Sequence, residues 1–342
     1  MTAKLKLQRD YSIDILRCIA LLGIICIHVQ PTSVFIQQVR SFDVPMMVFL
    51  SGVVFSMSTN HHPIDYRKYI VKRFVRLILP TWIFLSAYFV LRYLLHPGTL
   101  PFGINFFFLL TGWYVWIIRV FFIIALFAPL VVTVGEKQSN VALFILIVLG
   151  LIINEFIAIF IHSTDNESLV VMLVMNLGYF LVFILGVGMK KISTNQLNVI
   201  IILAIISYGI IATYLYIQNS HYVQTNDYKY PPRFYYLSYA LIIILLLLYK
   251  YRDILLKISQ KIHVFKCFRF IGSHTIWIYF YHIPIVEYLV PRNLPASWVY
   301  RYMIVLAIAG FFTYIQSYVV NSLAEKLKNK KISYYLKVLL VG

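Results

Sequence analysis

Long apolar runs, broken by short polar stretches, set the pattern of this chain. Ten of them stand out, at 12–31, 42–57, 77–95, 113–133, 141–161, 169–189, 197–217, 234–249, 270–290 and 299–321. Most approach the ~20 apolar residues that a helix needs to cross a hydrocarbon core. A transmembrane β-barrel would alternate apolar and polar positions, and these runs do not alternate. The pattern predicts an all-α integral membrane protein of about ten transmembrane helices. A short interfacial or re-entrant piece between 101 and 111 leads into the fourth segment. No repeat of fixed period is visible.

Composition agrees. Of 342 residues, 61% are hydrophobic and 12% charged, with a mean hydropathy of +0.82. Soluble domains carry about 25% charged residues. The net charge of +18 would suggest nucleic acid in a soluble protein, but its distribution gives another account. With the N-terminus inside, 22 of the 30 Lys and Arg fall in inner loops and termini. Six fall outside: Arg40, Arg92, Lys229, Arg233, Arg292 and Arg301; Arg17 and Arg119 lie within segments. This asymmetry predicts an even number of spans with both termini cytoplasmic, a lipid bilayer as the principal partner, and no nucleic acid. Cys18, Cys26 and Cys267 form no CxxC pair and no metal-ligand spacing, so neither a disulfide framework nor a metal is expected. The first apolar run carries charge and lacks a small-residue cleavage site, so it should stay as a helix.

The predicted organisation is one membrane domain over 1–324, then a basic cytoplasmic tail over 325–342. The tail alternates lysines with leucines and tyrosines, which fits an interfacial amphipathic helix or a solvated tail equally well. The longest outer loop, 218–233, is polar and carries Pro231-Pro232. No loop is long enough for an additional domain.

Ionisable residues inside membrane segments are the first candidates for chemistry, because each costs roughly 2.5–3.5 kcal/mol at a helix centre. Arg17 and His28 share the first segment, eleven residues apart. That is close to three helical turns, so they lie on one face about 16 Å apart along the axis. Asp14 sits one turn before Arg17, within pairing reach. The chemistry that suits His28 is proton transfer, with an imidazole accepting a hydroxyl proton as its oxygen attacks an acyl carbon. Arg17 suits an anionic group such as a phosphate. The structural alternative has Arg17 snorkelling to the interface and His28 bonded to a neighbouring helix.

Four further stretches carry signals. Arg73 and Arg76 are one turn apart just before Pro80, a pair suited to phosphate or to anchoring at the inner surface. Pro45, Ser51 and Gly52 predict a bent or closely packed helix, with Asp43 at the outer interface. Trp113 and Tyr114 read as belt aromatics, and Arg119 beyond them should face the bundle interior or a water-filled cavity. Ser273, Tyr279, His282, Pro284 and Glu287 cluster in the ninth segment, and Glu155 lies near the outer end of the fifth. Taken singly, such polar residues more often bond helices together than catalyse.

Taken in order, these stretches resemble the membrane acyltransferase-3 family, whose members acylate cell-surface glycans and some small molecules. The resemblance rests on Asp14, Arg17 and His28; Pro45, Ser51 and Gly52; Arg73, Arg76 and Pro80; Trp113 and Tyr114; and Ser273, Tyr279, His282 and Pro284. It implies ten helices around a central cavity, with an acyl-coenzyme A donor from the cytoplasm and an acceptor from the outer side. It also implies a catalytic role for Arg17 and His28, and donor phosphate contacts for Arg73 and Arg76. Many members carry a fused outer esterase-like domain, and the chain is expected to work without one, alone or with a separate partner. The expected activity is O-acyl transfer, foremost O-acetyl transfer from acetyl-coenzyme A to an envelope glycan or lipid-linked sugar in the bacterial cytoplasmic membrane. Envelope polysaccharide synthesis proteins are the expected partners. His28, Arg17 and Asp14 are the catalytic candidates, with Tyr279 and His282 in support, and Arg73, Arg76, Arg17 and Arg119 would hold the donor. The rival readings are a transporter or flippase of a glycan intermediate, whose polar residues would line a path, and a scaffold for envelope synthesis.

Overall fold

The computed structural model describes residues 10–59, 64–95, 104–109, 113–137, 140–162, 176–260 and 264–342. Its regular elements are helical: α1 Tyr11–His28, α2 Val34–Val39, α3 Asp43–Thr59, α4 Tyr66–Leu95, α5 Ile104–Phe107, α6 Trp116–Lys137, α7 Asn140–His162, α8 Leu177–Gly188, α9 Thr194–Asn219, α10 Phe234–Leu245, α11 Arg252–Gln260, α12 Val264–Ser273, α13 Thr275–Leu289, α14 Trp298–Lys326 and α15 Lys330–Leu340. Local sequence explains several boundaries. Asp10 caps α1 by accepting from the Ser12 N–H at 3.0 Å, and Arg252 at the head of α11 clasps Asp10 at 2.7 Å. Ser193 and Gln196 form a reciprocal capping box at the start of α9, and Ser220, in the left-handed region, ends that helix.

Every one of the ten predicted segments carries helix within the described residues, although 169–175 lies outside them. Among the described residues, six spans are long and apolar enough to cross a membrane: Tyr11–His28, Val34–Thr59, Tyr66–Leu95, Val141–Phe160, Thr194–Asn219 and Trp298–Lys326. The apolar stretches Trp116–Val131 and Phe234–Lys250 are shorter. Within the described residues the sixth segment carries α8, 12 residues long, and the ninth segment divides at His274 into α12 and α13. Helices packed inside a bundle can be short, because protein rather than lipid surrounds their ends.

Burial separates inner from outer helices. In α1, 61% of the apolar window is buried, against 17% in α7 and α9 and 22% in α14. α7 shows Leu149, Ile152, Phe156 and Phe160 to the outside, and α14 shows Phe311, Tyr318 and Leu323, as lipid-facing surfaces do. The protein is thus a multi-pass membrane protein. One close crossing is between α3 and α8. A Cβ at Gly52 would strike the Phe183 carbonyl, and one at Gly186 would strike the Phe49 carbonyl. The small residues let the two backbones touch, which is the close packing expected of the Ser51-Gly52 pair. Ser51 itself donates to the Val48 carbonyl of its own helix at 2.6 Å. Gly272 does the same for α12 on α1, abutting the backbone at Asp14.

α4 continues eleven residues before the predicted start of its segment, carrying Arg73 and Arg76 on one continuous helix through Pro80. The tail carries the helix α15. In α15, Ser333 donates to the Ala324 carbonyl at 2.8 Å, and Gln316 of α14 donates to the Leu340 carbonyl at 2.6 Å.

Candidate active site

At one end of the bundle lies a cavity of about 540 Å³ lined by His28, Tyr88, Arg92, Tyr114, Glu287 and Arg292, among others. α1 delivers His28 in its last turn, and α13 delivers His282 and Tyr279. The His28 ring lies 4.8 Å from the Tyr114 ring and 5.1 Å from the His282 ring. His282 lies 4.8 Å from Tyr279 and 5.9 Å from Tyr114. Four aromatic groups from three distant stretches of the chain thus share one contact cluster. The Tyr279 hydroxyl donates to the Tyr114 carbonyl, which pins the turn before α6 to α13.

His282 is fully buried. Its Nδ1 bonds the Tyr279 carbonyl one turn back, so Nδ1 carries the proton and Nε2 keeps its lone pair. That Nε2 is buried without a hydrogen-bond partner among the described residues. Glu287, one turn further along α13, accepts from the Tyr88 hydroxyl and from Trp113 Nε1 at 2.8 Å, and Arg92 stands 3.8 Å away. This carboxylate joins α4, α13 and the turn before α6 at the cavity wall.

The remaining predicted residues lie elsewhere. Arg17 is half-buried, eleven residues back along α1, and Asp14 is buried where α12 crosses. Neither lines the cavity around His28. Arg73 and Arg76 are one turn apart as expected. Arg76 is exposed, and the half-buried Arg73 guanidinium lies 5.0 Å from the Tyr69 ring. Twelve residues, about 18 Å of helix, separate Arg76 from Tyr88 at the cavity. The two arginine positions on α1 and α4 therefore lie at similar helical distances from it. Arg119 is half-buried. It donates to the Leu109 carbonyl at 2.8 Å, and its Nε is buried without a partner among the described residues. Ser273 bonds the Arg269 and Phe270 carbonyls and approaches His274 Nδ1 at 3.0 Å, at the break between α12 and α13. Glu155 binds the Arg233 Nε at 2.6 Å and so closes the end of the 218–233 loop. Asp43 is fully buried, and Arg40 grips it at 2.6 Å.

Tyr88, Arg92, Lys229 and Arg292 were not expected at the site from the sequence. Tyr88 gave no signal beyond being a tyrosine. The three cations did leave one: they belong to the six outer positive charges that charge asymmetry disfavours.

Lys229 is carried in by the 218–233 loop. Thr225 donates through its backbone N–H and its hydroxyl to Gln38 Oε1, each at 3.1 Å, and Arg40 donates to Asn226 Oδ1 at 3.0 Å. The loop is thereby tied to α2 and to the turn before α3. Lys229, 5% exposed, points its Nζ towards the rings of Trp116 and Tyr230, at 5.6 and 5.4 Å. Burial pushes its ammonium down to about 8, with Arg40 adding to that effect and Asp43 opposing it.

No group of three or more His, Cys, Asp or Glu side chains suited to a metal occurs among the described residues. No curated protein and no solved structure matches the chain. The family model of an acyltransferase domain matches residues 10–322, nearly the whole length. The chain therefore belongs to the acyltransferase 3 family and is a membrane enzyme that transfers acyl groups other than aminoacyl groups.

Proposed function

We propose that this acyltransferase moves an acetyl group from cytoplasmic acetyl-coenzyme A to a hydroxyl of an envelope glycan or lipid-linked sugar, in a bacterial cytoplasmic membrane. The topology that suits this is ten spans with both termini inside. The observation that carries the reading is the convergence of His28, Tyr114, Tyr279 and His282 beside a cavity whose wall includes α4, the helix bearing Arg73 and Arg76.

In this reading Arg73 and Arg76 bind the donor's phosphates at the inner face as planar, multi-donor cations. Arg17, with Asp14 beside it on α1, steadies the donor along the way, and Arg119 holds the Leu109 carbonyl. The thioester extends into the bundle towards His28. The His28 imidazole takes the proton from the acceptor hydroxyl, whose oxygen bonds to the carbonyl carbon. The carbon–sulfur bond then breaks, and the sulfur leaves with the electron pair and the proton. His282, its Nε2 lone pair open, and Tyr279 keep the His28 surroundings aligned. A donor held from one side and an acceptor from the other would meet without the coenzyme crossing the membrane.

The test is transfer of labelled acetyl from acetyl-coenzyme A into glycan, in membranes containing the wild type or Arg73→Ala/Arg76→Ala. The double variant should raise the KM for acetyl-coenzyme A at least about tenfold, the effect of losing ~1.4 kcal/mol of phosphate binding. An unchanged KM would remove the pair from donor binding. Glycan crossing vesicles without becoming acylated would favour the transporter reading.

A further inference from the structure

A lysine in an outer loop ordinarily reaches its charge into water. Lys229 does the opposite: it is 5% exposed, and among the described residues its Nζ has no hydrogen bond and no ion pair. The loop is fastened around it on both sides, by Thr225 and Asn226 to Gln38 and Arg40, and by Arg233 to Glu155. A buried cation without a carboxylate partner is costly, and the arrangement holds it in place.

Its location gives it a task. The turn that ends in Trp116 presents Tyr114 to the His28 ring, and Trp116, two residues on, presents its ring to Lys229. Trp116 and Tyr230 lie 5.2 Å apart, edge to face, and form the two walls of the lysine's pocket. Lys229 is thus linked to the His28 ring through the one turn that carries both Trp116 and Tyr114. The charged and titratable groups around it are His28 from α1, Arg40 and Asp43 from the α2–α3 junction, and Tyr230 from its own loop. Tyr179 from α8 lies behind Trp116, and His282 from α13 behind His28. Asp43 is held by Arg40, so the Lys229 charge is in excess.

We propose that Lys229 holds the acyl carbonyl oxygen while that oxygen carries negative charge; this rests on the acyl-transfer reading of His28. As the acceptor oxygen bonds to the carbonyl carbon, one C=O electron pair moves onto the carbonyl oxygen beside the ammonium. When the carbon–sulfur bond breaks, that pair returns to the C=O bond, and the thiol leaves with the proton His28 had taken. The lysine keeps its proton throughout. A fixed charge in a site shielded from water stabilises such an oxyanion far better than bulk water does.

The experiment uses the full chain in membranes and follows label from acetyl-coenzyme A into glycan. Lys229→Met should lower kcat about a hundredfold, the loss typical of one oxyanion-holding donor, while the KM for acetyl-coenzyme A stays within about twofold. Lys229→Arg should recover a large part of kcat. The sign of the pH effect follows from the ammonium at about 8: the charge is present below that pH and is lost as pH rises through it. Wild-type activity should therefore fall above pH ~8, and Lys229→Arg should not, because a guanidinium stays charged. That comparison needs no neutral variant to fold. Wild-type kcat in Lys229→Met, with His28→Ala inactive, would overturn the lysine's role and leave the histidine reading standing. Full activity in His28→Ala would overturn both. A raised KM with unchanged kcat would make Lys229 a ground-state binding group and also overturn the proposal.

Discussion

Glu287 is the residue on which the cavity wall depends most. One carboxylate accepts from Tyr88 on α4 and from Trp113 before α6, with Arg92 alongside. Removing it with Glu287→Ala leaves two partly buried donors without acceptors, at a cost of about 1–3 kcal/mol each. Thermal unfolding in detergent should show a lower Tm for Glu287→Ala and a smaller drop for Glu287→Gln, whose amide oxygen still accepts. Equal drops would mean that charge, not hydrogen bonding, is what the wall needs. At this scale the sequence was legible where a polar residue interrupted apolar sequence, as at His28, Tyr279 and His282. Lys229 was not legible as a site residue. Its position arises from contacts between residues 225–226 and 38–40, almost two hundred residues apart, and no local pattern encodes that pairing.

Among the helices, the glycines separate buried crossings from lipid-facing surface. Gly52 and Gly186 each face the backbone of the other's helix, whereas nothing lies within 4 Å of a Cβ placed at Gly209 or Gly310. Gly52→Ala and Gly186→Ala should destabilise by about 1–3 kcal/mol through overpacking. Gly209→Ala and Gly310→Ala should stabilise by roughly 0.5–1 kcal/mol, because alanine loses less backbone freedom in a helix. Opposite shifts in detergent Tm check this, and a destabilised Gly310→Ala would contradict the assignment of α14 to the outer ring. Helix positions came readily from the apolar runs, since hydrocarbon demands continuous apolar sequence. Helix ends did not. α4 continues into the basic stretch, where Arg67 to Arg76 holds five Lys and Arg, which favour helix, and neither Gly nor Pro to interrupt it. The ninth segment breaks at His274, where its ring bonds the Phe270 carbonyl at 2.8 Å and reaches Ser317 at 3.3 Å. Hydropathy alone does not report such a contact.

For the molecule as a whole, charge asymmetry predicts a sidedness that one native residue can report. Cys267 is exposed on α12, while Cys18 and Cys26 are buried. With an even number of spans and both ends inside, a membrane-impermeant maleimide should label Cys267 in inside-out vesicles and not in right-side-out ones. Labelling from the outer side would contradict that topology. The cavity around His28 and the arginines of α4 then fall on opposite sides, separated by about 18 Å of helix, as a donor from within and an acceptor from without require. The most direct test of this account is acetyl transfer to glycan by purified His28→Ala, at matched folding in detergent. The account predicts a fall of at least about a hundredfold, the usual contribution of a positioned base, with the KM for acetyl-coenzyme A little changed. Wild-type turnover in that variant would contradict it.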